Sequence, residues 1–279
     1  MDRRALLKSL VAAPFGAALV GCTTRTTSAP TAAPTSAAAS LSSSTVVAHP
    51  AALASSHKKT GALRVLCVGA HPDDPECGCG GTLARLSKAG HDVTILYVTR
   101  GENESGGRSF NENGKIRTRE AETACKILGV APRFLGMRGG ECEITPRWRK
   151  TMTAVFDELT PDLVFAQWPL DTNPDHQIAA MLAVQAYLEK SMQNPLYFFE
   201  VETGRQTMGF EPHVYVEIGE VLRIKNDAIM AHVSQSPKHM YEVHHEPMER
   251  FRAREIGGVA AEAFAMIPGT LSTGFLPGL

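Results

Sequence analysis

The chain has 279 residues, 43% of them hydrophobic, and a formal net charge of -1. That length holds one domain of ordinary size with some tail, and the apolar fraction is enough for a real core. With no Lys/Arg cluster beyond its first residues, the chain lacks the basic face that nucleic-acid binding needs, so such a partner is not expected.

At the N-terminus, residues 1–22 read as a targeting segment rather than part of the fold. Arg3 and Arg4 precede Leu6, Leu7 and Lys8, which looks like a twin-arginine export signal, and the apolar stretch 10–20 follows. The stretch falls short of the ~20 apolar residues that a spanning helix needs. It ends in Leu19-Val20-Gly21-Cys22, which resembles a lipoprotein cleavage box whose cysteine receives lipid. The expectation is an exported lipoprotein of a bacterium, anchored to the membrane through Cys22 and facing the periplasm or the cell exterior. Residues 23–60 are dominated by Thr, Ser, Ala and Pro. They bury too little apolar surface to offset their ordering entropy and read as a flexible tether. The folded domain then covers 61–279.

Within it, 63–69 is a nearly continuous apolar run, as in a strand covered on both faces. A loop follows, then a helix over 82–89 stopped at Gly90, then a second strand over 93–98. That spacing predicts a right-handed parallel crossover. The polar, Gly-rich stretch 101–115 predicts a long loop, of the kind that is usually functional or mobile. A helix over 116–128 ends at Gly129. Further strands are predicted over 133–135, 162–167, 196–201 and 214–218, and helices over 146–159, 176–190, 220–233 and 247–264. The alternation gives an α/β sheet with helices on both faces. No period of 20 to 50 residues is present, so no repeat architecture is expected. Ligands in such sheets bind beyond the carboxyl ends of the strands.

Two loops fall there. Ala70-His71-Pro72-Asp73-Asp74-Pro75-Glu76 follows the first strand, and Asp171-Thr172-Asn173-Pro174-Asp175-His176 follows the strand ending at Gln167. Imidazole with carboxylate suits zinc, and a catalytic zinc keeps three protein ligands with one position open. His71 and Asp74, three residues apart on a turn, can grip one ion, and His176 can arrive as the third ligand. Asp73 is left beside the metal as a general base for water whose pKa the ion lowers to about 7. A plain acidic turn with a satisfied histidine is the alternative for the first loop alone; the second loop argues against it.

Other features are weaker. Cys67, Cys77, Cys79, Cys125 and Cys142 are five thiols at irregular spacing, which is no disulfide framework, and they read as mostly buried. Gly78-Cys79-Gly80-Gly81 lacks phosphate-loop spacing, and its glycines are expected to let the backbone approach the metal loop. His244-His245 reads as a solvated surface, and Phe198-Phe199 as core.

The residues together resemble the PIG-L/LmbE-like zinc deacetylases. The resemblance rests on His71-Pro72-Asp73-Asp74, Glu76 and Gly78-Cys79-Gly80-Gly81-Thr82-Leu83-Ala84, then Gly90-His91-Asp92-Val93 and Thr99-Arg100-Gly101-Glu102. Arg117-Thr118-Arg119-Glu120, Leu128-Gly129-Val130 and Pro174-Asp175-His176 continue it, so that it covers 64–182 strongly. Beyond that, Ala231-His232-Val233-Ser234-Gln235 fits only weakly. The resemblance implies a Rossmann-like, mostly parallel sheet, one zinc on His71, Asp74 and His176, Asp73 as base, and hydrolysis of N-acetyl groups on amino sugars. It also implies a substrate-binding arginine after the Gly-rich loop, which points to Arg119 first and Arg117 second.

Two positions depart from the family. Asn173 stands where a histidine is usual; an amide can donate to an oxyanion but cannot deliver a proton near pH 7. Gly139-Gly140-Glu141 replaces the usual Asp-Gly pair. A downstream group such as His213 is then the expected acid. The expected function is removal of an N-acyl group, in particular acetyl, from an amino sugar or related small molecule. The alternatives are a lipid-anchored binding protein that keeps a metal, zinc or another divalent ion, but turns over weakly, and a zinc hydrolase of another amide or ester.

Overall fold

The computed structural model describes residues 61–103, 107–190, 194–266 and 279, so the export segment, Cys22 and the tether lie outside it. Alternate residues of β1 (Arg64–Gly69) face opposite cores: Val65 and Cys67 pack in one apolar cluster, Leu66 and Val68 in another. A strand buried on both faces needs such an unbroken apolar run. It pairs in parallel with β2 (Asp92–Tyr97) on one side and β4 (Leu163–Gln167) on the other. β3 (Ala131–Phe134) extends the parallel sheet beyond β2, and β5 (Leu196–Phe199) extends it beyond β4. β6 (Val214–Glu217) forms the far edge, joined to β5 through the antiparallel β7 (Ala261–Met266). The order is β3-β2-β1-β4-β5-β7-β6.

Helices α1 (Asp74–Lys88), α2 (Phe110–Leu128) and α5 (Leu222–Met230) cover one face; α3 (Pro146–Leu159) and α4 (Pro174–Glu189) cover the other. This is the Rossmann-like α/β architecture that the sequence predicts. Its connections diverge between β1 and β4, which places the switch point at the two loops singled out above. No helix among the described residues is long and apolar enough to cross a membrane.

Several expectations are corrected. The helix expected over 82–89 is only the second part of α1, which begins at Asp74 and is broken at Cys79, where φ is -148°. Pro75 suits a first turn, and Asp74 and Glu76 complement the positive end of the helix there. α2 starts at Phe110, so the Gly-rich loop is shorter than predicted: the Ser109 hydroxyl caps the Glu112 amide while Glu112 caps the Ser109 amide.

The helix expected over 220–233 stops at Met230, and the one over 247–264 does not exist as such. In its place stand α6 (Pro237–Met240), a π-helical stretch Tyr241–His245 and α7 (Glu246–Ala253). Strand β7 then follows Gly257 and Gly258. Its Ala-rich sequence favours helix weakly, but pairing between β5 and β6 overrides that preference.

Candidate metal centre and catalytic cleft

His71 and Asp74 leave the end of β1, and His176 leaves β4 on the first turn of α4. His71 Nδ1 lies 3.2 Å from His176 Nε2 and 3.3 Å from Asp74 Oδ2. His176 Nε2 lies 3.3 Å from the same carboxylate oxygen. Atoms held about 2.0–2.1 Å from a tetrahedral zinc sit about 3.3–3.4 Å apart, so the spacing fits that ion. The donor set of two imidazoles and one carboxylate, all buried, fits it as well.

Each imidazole is oriented from behind. His71 Nε2 is 3.0 Å from Asp175 Oδ2, which also accepts the Gly140 amide at 2.7 Å. His176 Nδ1 lies 3.3 Å from Asp171 Oδ1 and 3.0 Å from Gln206 Nε2. These partners fix the rings so that His71 Nδ1 and His176 Nε2 face the common point. The surroundings favour positive charge there. Burial opposes a charged imidazole at His71, yet hydrogen bonds to Asp175 and Asp74 outweigh it and raise the pKa to about 10. Burial likewise opposes the Asp74 carboxylate, but His176 and His71 hold it well below the usual carboxylate range. The Gly139-Gly140 segment thus meets the site through its backbone: the Gly140 amide steadies Asp175 directly.

Asp73, between the two ligands of the first loop, has φ 102°. Two groups hold it there. Arg117 Nη2 donates to Asp73 Oδ2 at 3.0 Å and, by a short bond, to the Pro72 carbonyl. Glu76 Oε2 accepts the Asp73 amide at 3.1 Å. Glu76, fully buried, is itself fixed by Tyr97 Oη at 2.5 Å and His232 Nε2 at 3.1 Å. Arg117 reaches Asp73 past Gly101, where an added Cβ would sit 2.5 Å from the guanidinium.

The arginine expected at the substrate is therefore corrected. Arg119 is exposed, two residues and about 200° around α2 from Arg117, and takes no place in the cleft. Arg117 is 1% exposed and committed to Asp73, Pro72 and Gly101, so it holds the Asp73 carboxylate in place. His213 is corrected too. It is exposed and precedes the edge strand β6, with β5 and β7 lying between that strand and β4. Nor do Gly78 and Gly81 serve the metal loop: added Cβ atoms would strike Phe199 and Ile218 within 3 Å, so these glycines let α1 settle on its neighbours.

Asn173 does stand at the site. It caps α4, its Oδ1 accepting the Asp175 amide at 2.9 Å, and it lines the cleft. That cleft has a volume of about 390 Å³ and a floor of His71, Asp73, Asp74 and His176. Its lining also includes His239, His244 and His245, the last of them buried, so the solvated reading of His244-His245 is corrected. Cys77 also borders it, but burial and then Asp73 push its thiol pKa far up, which leaves it a poor nucleophile. The five described cysteines are all free, four of them buried as expected.

Residues 66–187 match the PIG-L family, described as GlcNAc-PI de-N-acetylase. The diacetylchitobiose deacetylase of Thermococcus kodakarensis is 30% identical over 225 residues, 74% of this chain and 84% of that protein. Among solved structures, the N,N'-diacetylchitobiose deacetylase of Pyrococcus horikoshii, in complex with an inhibitor, is 28% identical with a TM-score of 0.65. That match covers 74% of this chain and 84% of that one. The conserved protein TT1542 of Thermus thermophilus is 30% identical with a TM-score of 0.63, covering 77% and 98%.

Proposed function

This chain belongs to the PIG-L family of deacetylases, and from that premise we propose that it is a zinc-dependent hydrolase of the acetamide group on a small N-acetylated amino sugar. The observation that carries the reading is the convergence of His71, Asp74 and His176 directly beside a carboxylate, Asp73, that is not one of the three converging groups. A zinc bound there supplies Lewis-acid chemistry, polarising the amide carbonyl and making water acidic enough to attack near neutral pH. Asp73 takes the proton from the attacking water as the oxygen adds to the carbonyl carbon. Negative charge gathers on the carbonyl oxygen, and the Asn173 side-chain amide can donate to it, since only its Oδ1 is spent on the helix cap. Asp73 then returns the proton to nitrogen as the C–N bond breaks, giving acetate and a free amine. This route needs no separate acid, which suits the absence of His213 from the cleft.

The similarity to diacetylchitobiose deacetylases supports a glycan-derived substrate. Export and lipid attachment at Cys22 belong to the same proposal and rest on the sequence alone. Elemental analysis of the purified protein should find one zinc per chain, with acetate released from N,N'-diacetylchitobiose or N-acetylglucosamine. His71→Ala, Asp74→Ala and His176→Ala should each lower the zinc content and the release together. Full zinc content in all three variants would remove the site.

A further inference from the structure

Part of the cleft lining is built by Ser236 and the residues after it, where the helix widens to a π turn at Tyr241–His245. Such turns are rare and recur at functional sites. Here the turn sets two consecutive histidines on the cleft. Their circumstances differ. His244 has both nitrogens engaged, Nδ1 at 2.6 Å from Glu202 Oε1 and Nε2 at 2.9 Å from Arg205 Nη1. His245 is 2% exposed, and its Nδ1 is shut off from solvent with no hydrogen-bond partner among the described residues. Leaving a buried polar atom unpaired costs about 1–3 kcal/mol, and a group kept at that cost calls for an explanation.

Burial first, then the charges of Lys225 and His244, lower the His245 pKa to about 3. The ring is neutral throughout the working range and has no proton to give away. Its sealed Nδ1 holds the lone pair most cheaply, which leaves the proton on Nε2, the ring nitrogen that is not sealed in this way. A neutral imidazole of this kind stabilises oxyanions without titrating.

We propose that His245 is a further catalytic residue, whose Nε2–H donates a hydrogen bond to the substrate carbonyl oxygen as that oxygen becomes negative. It lines the same cleft as Asn173 and supplies the imidazole that the chain lacks at position 173. The inference rests on the deacetylase reading above. No proton is transferred at His245: the one taken from water travels through Asp73 to the departing amine.

The test uses the zinc-loaded full chain and three variants, His245→Ala, His245→Gln and His245→Phe. The probes are N,N'-diacetylchitobiose for turnover and the methylphosphonamide of glucosamine, a tetrahedral anion, for binding by calorimetry. Loss of the donor in the Ala and Phe forms should lower kcat roughly 10²–10³-fold with little change in KM. It should weaken the phosphonamide at least tenfold without altering zinc content. The Gln form, which keeps an N–H donor, should recover most of both. His245→Phe removes the unpaired nitrogen, so its Tm should equal or exceed the native value while its activity falls, which a purely structural histidine would not do. This variant also carries the comparison if His245→Ala fails to fold. Native acetate release with unchanged kcat and phosphonamide affinity in His245→Phe overturns the inference and leaves the function standing. A native protein that neither releases acetate nor binds the phosphonamide overturns both.

Discussion

Asp73 occupies a backbone region that costs an ordinary residue about 1–3 kcal/mol, and it persists there because Arg117 and Glu76 hold it from two sides. Asn173, across the metal ligands, has two duties that can be separated. Its Oδ1 caps α4, worth about 0.5–2 kcal/mol, and its amide hydrogens are proposed to meet the reacting oxygen. Asn173→Ser keeps a capping oxygen and removes the amide N–H donor, whereas Asn173→Ala removes both. Turnover should fall roughly 10²–10³-fold in each, but only the alanine form should lose stability in urea denaturation. A serine variant as active as the native enzyme would reduce Asn173 to a cap. At this scale the sequence pointed to His71, Asp73 and Asp74 because they stand together in one turn, and to His176 because a second loop of the same kind follows β4. Arg117 was also legible: with Ala121, Ala124 and Leu128 it keeps the 4-3-4 spacing of the buried face of α2, on which Arg119 does not fall. His245 was not legible, because nothing local separates a buried His-His pair from a solvated one. What covers it comes from other parts of the chain.

The elements that hold the first loop in place come from far along the sequence. The break at Cys79 frees helix amides, and Glu262 of β7 accepts two of them, Gly81 at 2.8 Å and Thr82 at 2.7 Å. Lys225 of α5 lies 2.7 Å from both Glu262 and Glu249, all three being 3% exposed or less. The two carboxylates outweigh burial and keep this ammonium charged. Lys225→Met would leave two buried carboxylates without their counter-charge and should cost about 3–5 kcal/mol, seen as a lower urea midpoint. A loss below about 1 kcal/mol would mean that the network does not brace α1. β7 was misread as helix for the same long-range reason. Alanine run, alternation and length do not settle its state until β5 and β6 are beside it. α3 was read with its observed bounds, because Pro146 starts it, Thr145 caps it and Pro161 lies just past its end.

Across the whole molecule, the switch point between β1 and β4 brings together residues 71–74 and 171–176, about a hundred positions apart. The family match covers 66–187, which contains His71, Asp73, Asp74 and His176. The rest of the cleft lining comes from 201–206 and 235–245, outside that match. The chain also carries its proposed address at the other end. Cys22→Ala should release the protein from the membrane fraction, and a variant that still pellets with membranes would end the lipoprotein reading. The central claim is that Asp73 is the base beside a metal held by its neighbours, and one variant tests it most directly. Asp73→Asn, assayed for zinc content and acetate release together, should keep one zinc per chain and lose about 10²–10⁴-fold in turnover. An unchanged rate would contradict the account, and loss of the zinc would make Asp73 a ligand instead.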